Sequence, residues 1–206
     1  MGKHAKSVDS QVIARIKGRH RGWVFTPADF ADLGSSTAVA LALMRHVAAG
    51  TIRKLARGLY DYPRIDAGLG MIAASTDDIA TALKGRDGVR LQPSGAHAAN
   101  MLGLSDQVPV RTLFLTDGRS RTVRIGRRQI VLKQTTARQM ATGGRVSGTV
   151  IQALRWLGQR HVGEMTVVKL RRRLSDSDKD QLLKDIRHAP AWVAKVIRDV
   201  ARPASK

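Results

Sequence analysis

The sequence of 206 residues contains no cysteine and few aromatic residues, only three Trp, two Tyr and three Phe. Without cysteine the chain can form no disulfide, thiolate metal site, iron–sulfur cluster or cysteine nucleophile. With so few aromatics, stacking of single-stranded bases is not expected as its main activity. No apolar run approaches the roughly 20 residues of a membrane-spanning helix, and no apolar signal segment follows the basic start. We therefore expect a cytoplasmic protein with no membrane partner.

Negative charge is also scarce, and positive charge is in large excess. The chain has 36 Lys and Arg against 16 Asp and Glu, a formal net charge of +20, and Glu164 is its single glutamate. Residues 1–70 carry 11 basic and 5 acidic side chains, and residues 71–206 carry 25 and 11. Such a balance favours a polyanion as partner, nucleic acid before an acidic protein. Alternatively, the excess of positive charge serves solubility or reflects a proteome that is rich in arginine.

The first third of the chain has the pattern of two helices around a glycine turn, followed by a hairpin. Thr26-Pro27 predicts the start of a short helix over 28–33, and Gly34 ends it. Ser35 or Ser36 then caps a helix over 37–49. The period changes after Gly50, and residues 51–55 and 59–62 predict two strands of a hairpin. These are the parts of a winged helix-turn-helix.

A winged helix-turn-helix binds DNA through the first residues of its last helix and through its hairpin. Seven residues are therefore candidate DNA contacts: Ser35, Ser36, Thr37, Arg45, Arg53, Lys54 and Arg57. The same module also serves protein contacts. Leu41 and Met44 fall on the outer face of the helix, where they either contact thymine methyl groups or pack against protein.

The remainder of the chain predicts a mixed α/β domain with a small antiparallel sheet and several helices, so the expected class is α+β. Residues 64–70 lack a clear pattern and predict a linker, which places the two domains at 1–66 and 67–206. Asp117-Gly118 predicts the turn of a hairpin. A basic cluster follows it, formed by Arg119, Arg121, Arg124, Arg127 and Arg128. This cluster is either a phosphate-binding or partner surface, or an edge strand protected by charge.

The stretch from Gly22 to Pro63 resembles AbiEi-type antitoxins of the abortive-infection, type IV toxin–antitoxin class. The matching motifs are F-T-P at 25–27, L-G-S at 33–35, A-V…A-L at 38–43 and G-x-I-R-K-L-A-R-G-L-Y-D-Y-P at 50–63. Residues 71–206 match in length, order and basicity. The resemblance implies a winged helix that represses its own operon by binding inverted repeats in double-stranded DNA. It also implies a C-terminal domain that opposes a nucleotidyltransferase-like toxin.

We expect binding rather than catalysis, with no cofactor and no metal ion. None of the six histidines has metal-ligand spacing, and Ser94 near His97 lacks a nucleophile elbow and predicts a helix cap instead. Two further alternatives stay open. The basic C-terminal domain can bind an acidic protein, or the chain can be a basic nucleic-acid-binding protein without sequence preference.

Overall fold

The computed structural model describes residues 7–107 and 109–202. The predicted domains begin at residue 1 and end at residue 206. Residues 1–6 and 203–206, on which these two bounds fall, lie outside the described part. Helices and small sheets occur together, which confirms the α+β class. The chain divides into two compact units, one that ends at Gly88 and one that begins at Val89. The first unit is longer than the predicted domain 1–66, because the helix that ends at Asp87 contacts the strand Val24–Phe25.

The first unit is formed by three helices and five short strands. In chain order its elements are α1 (Val8–Lys17), β1 (Val24–Phe25), a 3-10 turn (Pro27–Phe30), α2 (Ser36–Ala48), β2 (Arg53–Ala56), β3 (Leu59–Asp61), β4 (Arg64–Asp66), β5 (Gly70–Ile72) and α3 (Thr76–Asp87). Strands β1, β3 and β2 form one antiparallel sheet in that order, and β4 and β5 form a separate hairpin.

One apolar core holds α1, α2 and the three-stranded sheet together. Phe25 and Phe30 are fully buried and meet edge to face, with ring centroids 5.5 Å apart. The other buried members are Val12, Ile16, Val39, Ala42, Leu43, Ile52 and Tyr60. Since α2 uses Val39, Ala42 and Leu43 for this core, its opposite face turns outward.

The short helix predicted over 28–33 is a single 3-10 turn. Its predicted start is correct, because the Asp29 carboxylate accepts hydrogen bonds from both the backbone and the hydroxyl of Thr26, at 2.7 and 3.0 Å. This clamp fixes the first turn, and the chain then leaves the helix after Phe30. Gly34 is packed against Val8, so closely that an added Cβ would clash with that side chain.

The predicted linker 64–70 is wrong: most of it belongs to the β4–β5 hairpin. The pairing is Arg64 with Ile72 and Ile65 with Met71. At the tip, the Asp66 carboxylate accepts hydrogen bonds from the backbone of Gly68 and Leu69, both at 2.9 Å. Gly68 lies in this tight turn, and Gly70 follows it as the first residue of β5.

The second unit places a four-stranded sheet beside five helices. Its elements are β6 (Leu91–Ser94), α4 (Gly95–Met101), β7 (Arg111–Thr116), β8 (Arg121–Ile125), β9 (Arg128–Gln134), α5 (Val146–Leu157), α6 (Glu164–Arg173), α7 (Asp176–Asp185) and α8 (Ala191–Ala201). Its helical core contains buried side chains from α4 to α8, among them Ala98, Leu154, Leu170, Leu182, Val193 and Ile197.

The strand order β6-β7-β9-β8 overturns the predicted hairpin at Asp117-Gly118. β7 pairs antiparallel with β6 and parallel with β9, and β8 pairs antiparallel with β9 at the edge. Asp117 makes no hairpin turn because its carboxylate binds Arg90, accepting from the backbone and from Nε at 2.8 Å each. The real hairpin joins β8 to β9 through Gly126, whose φ of +56° suits glycine.

One predicted helix cap of the second unit has a different role. Ser94 precedes α4 as predicted, but its side chain does not cap the helix and instead donates a hydrogen bond to Gln152 at 3.1 Å. Within the described ranges, no helix is long and apolar enough to cross a membrane.

Candidate nucleic-acid interface

The N-terminus of α2 carries three of the predicted contact residues. Ser35 is the N-cap: its hydroxyl accepts a hydrogen bond from the backbone of Ala38 at 3.2 Å. Ser36 and Thr37 follow in the first turn with exposed side chains. Free backbone N–H groups and the positive end of the helix dipole meet at this point. The first turn of α2 therefore offers hydroxyl and amide donors to an anion.

The outer face of α2 is exposed and mostly apolar. Leu41 is 46% exposed and Met44 is 63% exposed, whereas Val39 and Leu43 on the opposite face are buried. Arg45 is the one charged residue of the exposed face, with a side chain 71% exposed and 3.8 Å from the carboxylate of Asp9. Its guanidinium remains accessible to a further anion.

The β2–β3 hairpin is tied to the end of α2. The backbone N–H groups of Thr51 and Ile52 both donate to the carbonyl of His46, at 3.0 and 3.3 Å. These bonds fix where the hairpin leaves the helix. Lys54 and Arg57 are exposed on the hairpin. Arg57 stands in its turn beside Gly58, whose φ is +65°. Both side chains are therefore accessible to solvent, and their role as DNA contacts stays a prediction.

Arg53, predicted as a third contact of the hairpin, is half-buried and bound to a carboxylate of its own unit. Its Nε and Nη2 donate to the two carboxylate oxygens of Asp61 at 3.0 and 2.5 Å, and Nη2 also donates to the carbonyl of Ile72 at 2.8 Å. The hydrogen bonds to Asp61 raise the pKa of Arg53. Because the Asp61 side chain is almost fully buried, Arg53 neutralises a buried charge and is not free to bind phosphate.

Sequence reasoning missed Arg86, near the end of α3. A Cβ added at Gly58 would lie 3.9 Å from Nη1 of Arg86, so this guanidinium reaches the hairpin turn. Burial lowers the pKa of Arg86, and its Nε donates to the adjacent Asp87 at 3.0 Å. No local pattern links residue 86 to residue 58, since only the packing of α3 in the first unit brings them together.

The basic cluster of the second unit lies on and around the edge strand β8. Arg119, Arg124 and Arg127 are exposed, whereas Arg121 and Arg128 are half-buried. The alternation of a strand explains the difference, because Arg121 shares a face with Val123 and Ile125. Only three of the five predicted residues are thus exposed: Arg119 before the strand, Arg124 on it and Arg127 after it. Both earlier interpretations, a phosphate-binding surface and a protected edge, are compatible with this position.

In the described ranges, no three His, Asp or Glu side chains lie together in a group that could hold a metal ion. In the first unit, Nε2 of His46 lies 3.6 Å from a carboxylate oxygen of Asp9. His97 is buried against Phe114, with ring centroids 5.3 Å apart.

A comparison with protein-family models matches residues 11–182 to a family of unknown function, DUF6088. The chain belongs to DUF6088. No curated protein matches this DUF6088 chain. Among solved structures, it is similar to the RV2827C protein from Mycobacterium tuberculosis, with a TM-score of 0.48 and 16% sequence identity over 98% of this chain and 80% of that chain. A similarity this low supports no argument about function.

Proposed function

We propose that the first unit is a winged helix-turn-helix that binds double-stranded DNA, with α2 as its recognition helix and the β2–β3 hairpin as its wing. The observation that carries the proposal is an exposed outer side of α2 followed directly by a hairpin with two exposed cations, Lys54 and Arg57. The His46 carbonyl, which accepts from the first residues of the hairpin, fixes the two parts relative to each other.

The dimensions and chemistry of α2 suit the major groove. A helix is about 10–12 Å wide with its side chains, and the groove is about 12 Å wide. Ser36 and Thr37 can donate to phosphate or base edges from the first turn. Arg45, Lys54 and Arg57 would neutralise phosphates, which makes the affinity strongly dependent on salt.

We further propose that the chain is an AbiEi-type antitoxin that represses its own operon in the cytoplasm and opposes a nucleotidyltransferase-like toxin. The support is the motif set over residues 22–63, above all the run at 50–63 that forms the wing. In this proposal the basic second unit opposes the toxin. Its exposed arginines at 119, 124 and 127 give it an additional surface for nucleic acid or a partner.

A groove on the second unit favours a second function, the binding of an acidic protein. The groove has a volume of about 590 Å³ and lies between α6 and α8. Val167, Trp192 and Val196 supply apolar surface. The charged lining residues are Arg171, Lys195 and Arg202 against Glu164 and Asp199, a small excess of positive charge. This combination suits an acidic segment with apolar anchors.

The proposal is tested by measuring how the full chain binds the DNA upstream of its own gene and shuffled DNA of equal length, over a salt series. A preference of about a thousandfold or more, the lower end for specific regulators, is expected. Arg57→Ala should weaken binding to every sequence and lower the slope of log K against log salt by about 1.

Lys17→Ala is the matched control, because it removes one exposed charge from the end of α1. It should change the slope much less than Arg57→Ala does. Equal binding to both DNAs would contradict the repressor and favour a basic protein without sequence preference. Tight capture of an acidic protein by the second unit, without a DNA preference, would favour the second function.

A further inference from the structure

The exposed face of α2 has an unusual composition for a surface that is to read DNA. Thr37, Leu41, Met44 and Ala48 follow one another at spacings of three and four, so they form one stripe along the helix. All four are exposed, with Ala40 beside them. In a chain with 25% charged residues, this stripe contains none.

The apolar side chains of the stripe do not belong to the core of the first unit. The core takes Val39, Ala42 and Leu43 from the other side of α2, and Leu41 and Met44 remain 46% and 63% exposed. Large exposed apolar groups at the centre of a helix indicate a surface that a partner covers. Arg45 on the same helix and the exposed Lys54 and Arg57 of the hairpin that follows α2 are all cationic, which indicates that this partner is a polyanion.

The composition of α2 also limits how it can distinguish base pairs. Guanine is usually read by Arg or Lys, and adenine by Asn or Gln. The sequence of α2 contains neither Asn, Gln nor Lys, and its single Arg45 lies beside Asp9 near the end of the helix. His46 is 13% exposed and directed at the same carboxylate. The middle of α2 can therefore offer the groove little except methyl and methylene groups.

Thymine is the base whose major-groove edge matches such a surface, because its C5 methyl group projects into the groove. We propose that Leu41 and Met44 contact thymine methyl groups. The sequence preference of this protein is then set by the positions of thymines in each half-site, which is one arm of the inverted repeat that it binds. This inference rests on the proposed function. Ser36 and Thr37 then set the position of the helix on the backbone, and the flexible Met44 side chain adapts to the methyl group it meets.

The test replaces single thymines of the preferred upstream site with deoxyuridine. This change removes the methyl group and keeps the base pair and its hydrogen-bonding groups. Burial of one methylene-sized group corresponds to about a fourfold change in affinity. We expect losses of about threefold to fivefold at one or two thymines of each half-site, and none at thymines outside the half-sites.

Two variants assign the effect to named side chains. We call the loss of affinity caused by replacing one thymine with deoxyuridine the uracil penalty. In Leu41→Ala and Met44→Ala, this penalty at the matching position should fall to nearly nothing, because the side chain that contacts the methyl group is gone. Both side chains are exposed, so these variants should unfold at the wild-type temperature. Met165→Ala, which truncates a methionine 68% exposed in the second unit, should retain the full penalty.

The outcomes separate this inference from the proposed function. Preferred binding to the upstream site with no uracil penalty would keep the DNA-binding function and overturn methyl recognition. A penalty that persists unchanged in both Leu41→Ala and Met44→Ala would also overturn it. Equal binding to upstream and shuffled DNA would contradict the proposed function, and it would contradict this inference as well.

Discussion

Arg53 and Asp61 are direct partners across the β2–β3 hairpin, and they are joined by two parallel hydrogen bonds of 3.0 and 2.5 Å. The same guanidinium donates to the carbonyl of Ile72, so it ties the β2–β3 hairpin to the β4–β5 hairpin. The carboxylate is almost completely buried, whereas 28% of the Arg53 side chain is exposed. The pair thus holds the base of the β2–β3 hairpin, while Lys54 and Arg57 remain exposed.

Removal of Arg53 should therefore act on stability rather than on a DNA contact. Arg53→Ala leaves the buried Asp61 carboxylate without its counter-ion, and loss of one partner of a buried pair costs about 3 kcal/mol or more. We expect a lower free energy of unfolding for the first unit in urea titrations of the full chain. DNA binding should fall in parallel with the folded fraction.

The double variant Arg53→Ala/Asp61→Asn serves as the control, since it removes the buried charge as well. It should recover part of the lost stability. Arg57→Ala, by contrast, should unfold like the wild type. An Arg53→Ala chain of wild-type stability with weakened DNA binding would show that Arg53 is a contact residue after all.

The Arg53–Asp61 pair also shows where sequence reasoning stops. Caps are local, and so Ser35 and Thr26-Pro27 predicted the starts of α2 and of the 3-10 turn correctly. The roles of Arg53 and Arg86 depend on Asp61, Ile72 and Gly58, and only the folded packing brings these groups to them.

The sheet of the second unit shows the same limit. Asp117-Gly118 has the sequence of a hairpin turn, but the pairing of β7 with the distant β9 and the binding of Asp117 to Arg90 prevail. The strands themselves were predictable from alternation, because that signal is contained in each segment. The order of the strands in the sheet depends on which distant segments pair, and no single segment carries that information. The linker at 64–70 failed for a related reason, since a short hairpin with exposed residues on both strands has no apolar alternation.

Stability of the second unit should depend on pH through Asp185. Burial raises the pKa of this carboxyl, but hydrogen bonds from Ser147 and Gln181 and the charge of Arg145 outweigh it and hold the pKa below its ordinary value. The donors lie at 2.5, 2.9 and 2.7 Å. A depressed carboxyl pKa stabilises the fold above the unfolded pKa of about 3.9. The contribution is lost as pH falls through the folded pKa.

Thermal unfolding of wild type and Asp185→Asn at several pH values measures this contribution. At pH 7 the variant should be less stable by about 1.5–3 kcal/mol, the range for hydrogen bonds to a charged group. The difference should shrink as pH falls below about 4. Other carboxyls with lowered pKa, such as Asp117 beside Arg90, affect both proteins equally. A difference that stays constant down to pH 2 would contradict the assignment to Asp185.

The exposed arginines around β8 should contribute to DNA affinity without setting sequence preference. The triple variant of Arg119, Arg124 and Arg127 to Gln keeps polar side chains on the edge strand and removes three charges. If each arginine neutralises one phosphate, the slope of log K against log salt should fall by about 3, equally for upstream and shuffled DNA. The upstream preference should remain.

Three exposed helical arginines, Arg160, Arg172 and Arg198, provide a control of equal charge when changed to Gln. A control variant with the same loss of slope would show that net charge alone matters. A β8 variant that keeps its slope but aggregates would instead assign the arginines to protection of the edge.

Two helical glycines should respond in opposite directions to the same substitution. In an exposed helix, Gly→Ala stabilises by about 1 kcal/mol because alanine is the better helix former. Gly85 in α3 has nothing within 4 Å of an added Cβ, so Gly85→Ala should show this gain.

Gly148 in α5 is buried, and an added Cβ would overlap the side-chain oxygen of Gln92 and approach the Thr142 carbonyl to 2.5 Å. Gln92 cannot easily move away, because its amide donates to Thr149 at 3.1 Å and its oxygen accepts from Gly144 at 3.2 Å. Overpacking of this kind costs about 1–3 kcal/mol, which exceeds the gain in helix propensity. Gly148→Ala should therefore lower the unfolding temperature, and Gly85→Ala should raise it. If both glycines gave the same gain, the close approach of α5 to Gln92 would be disproved.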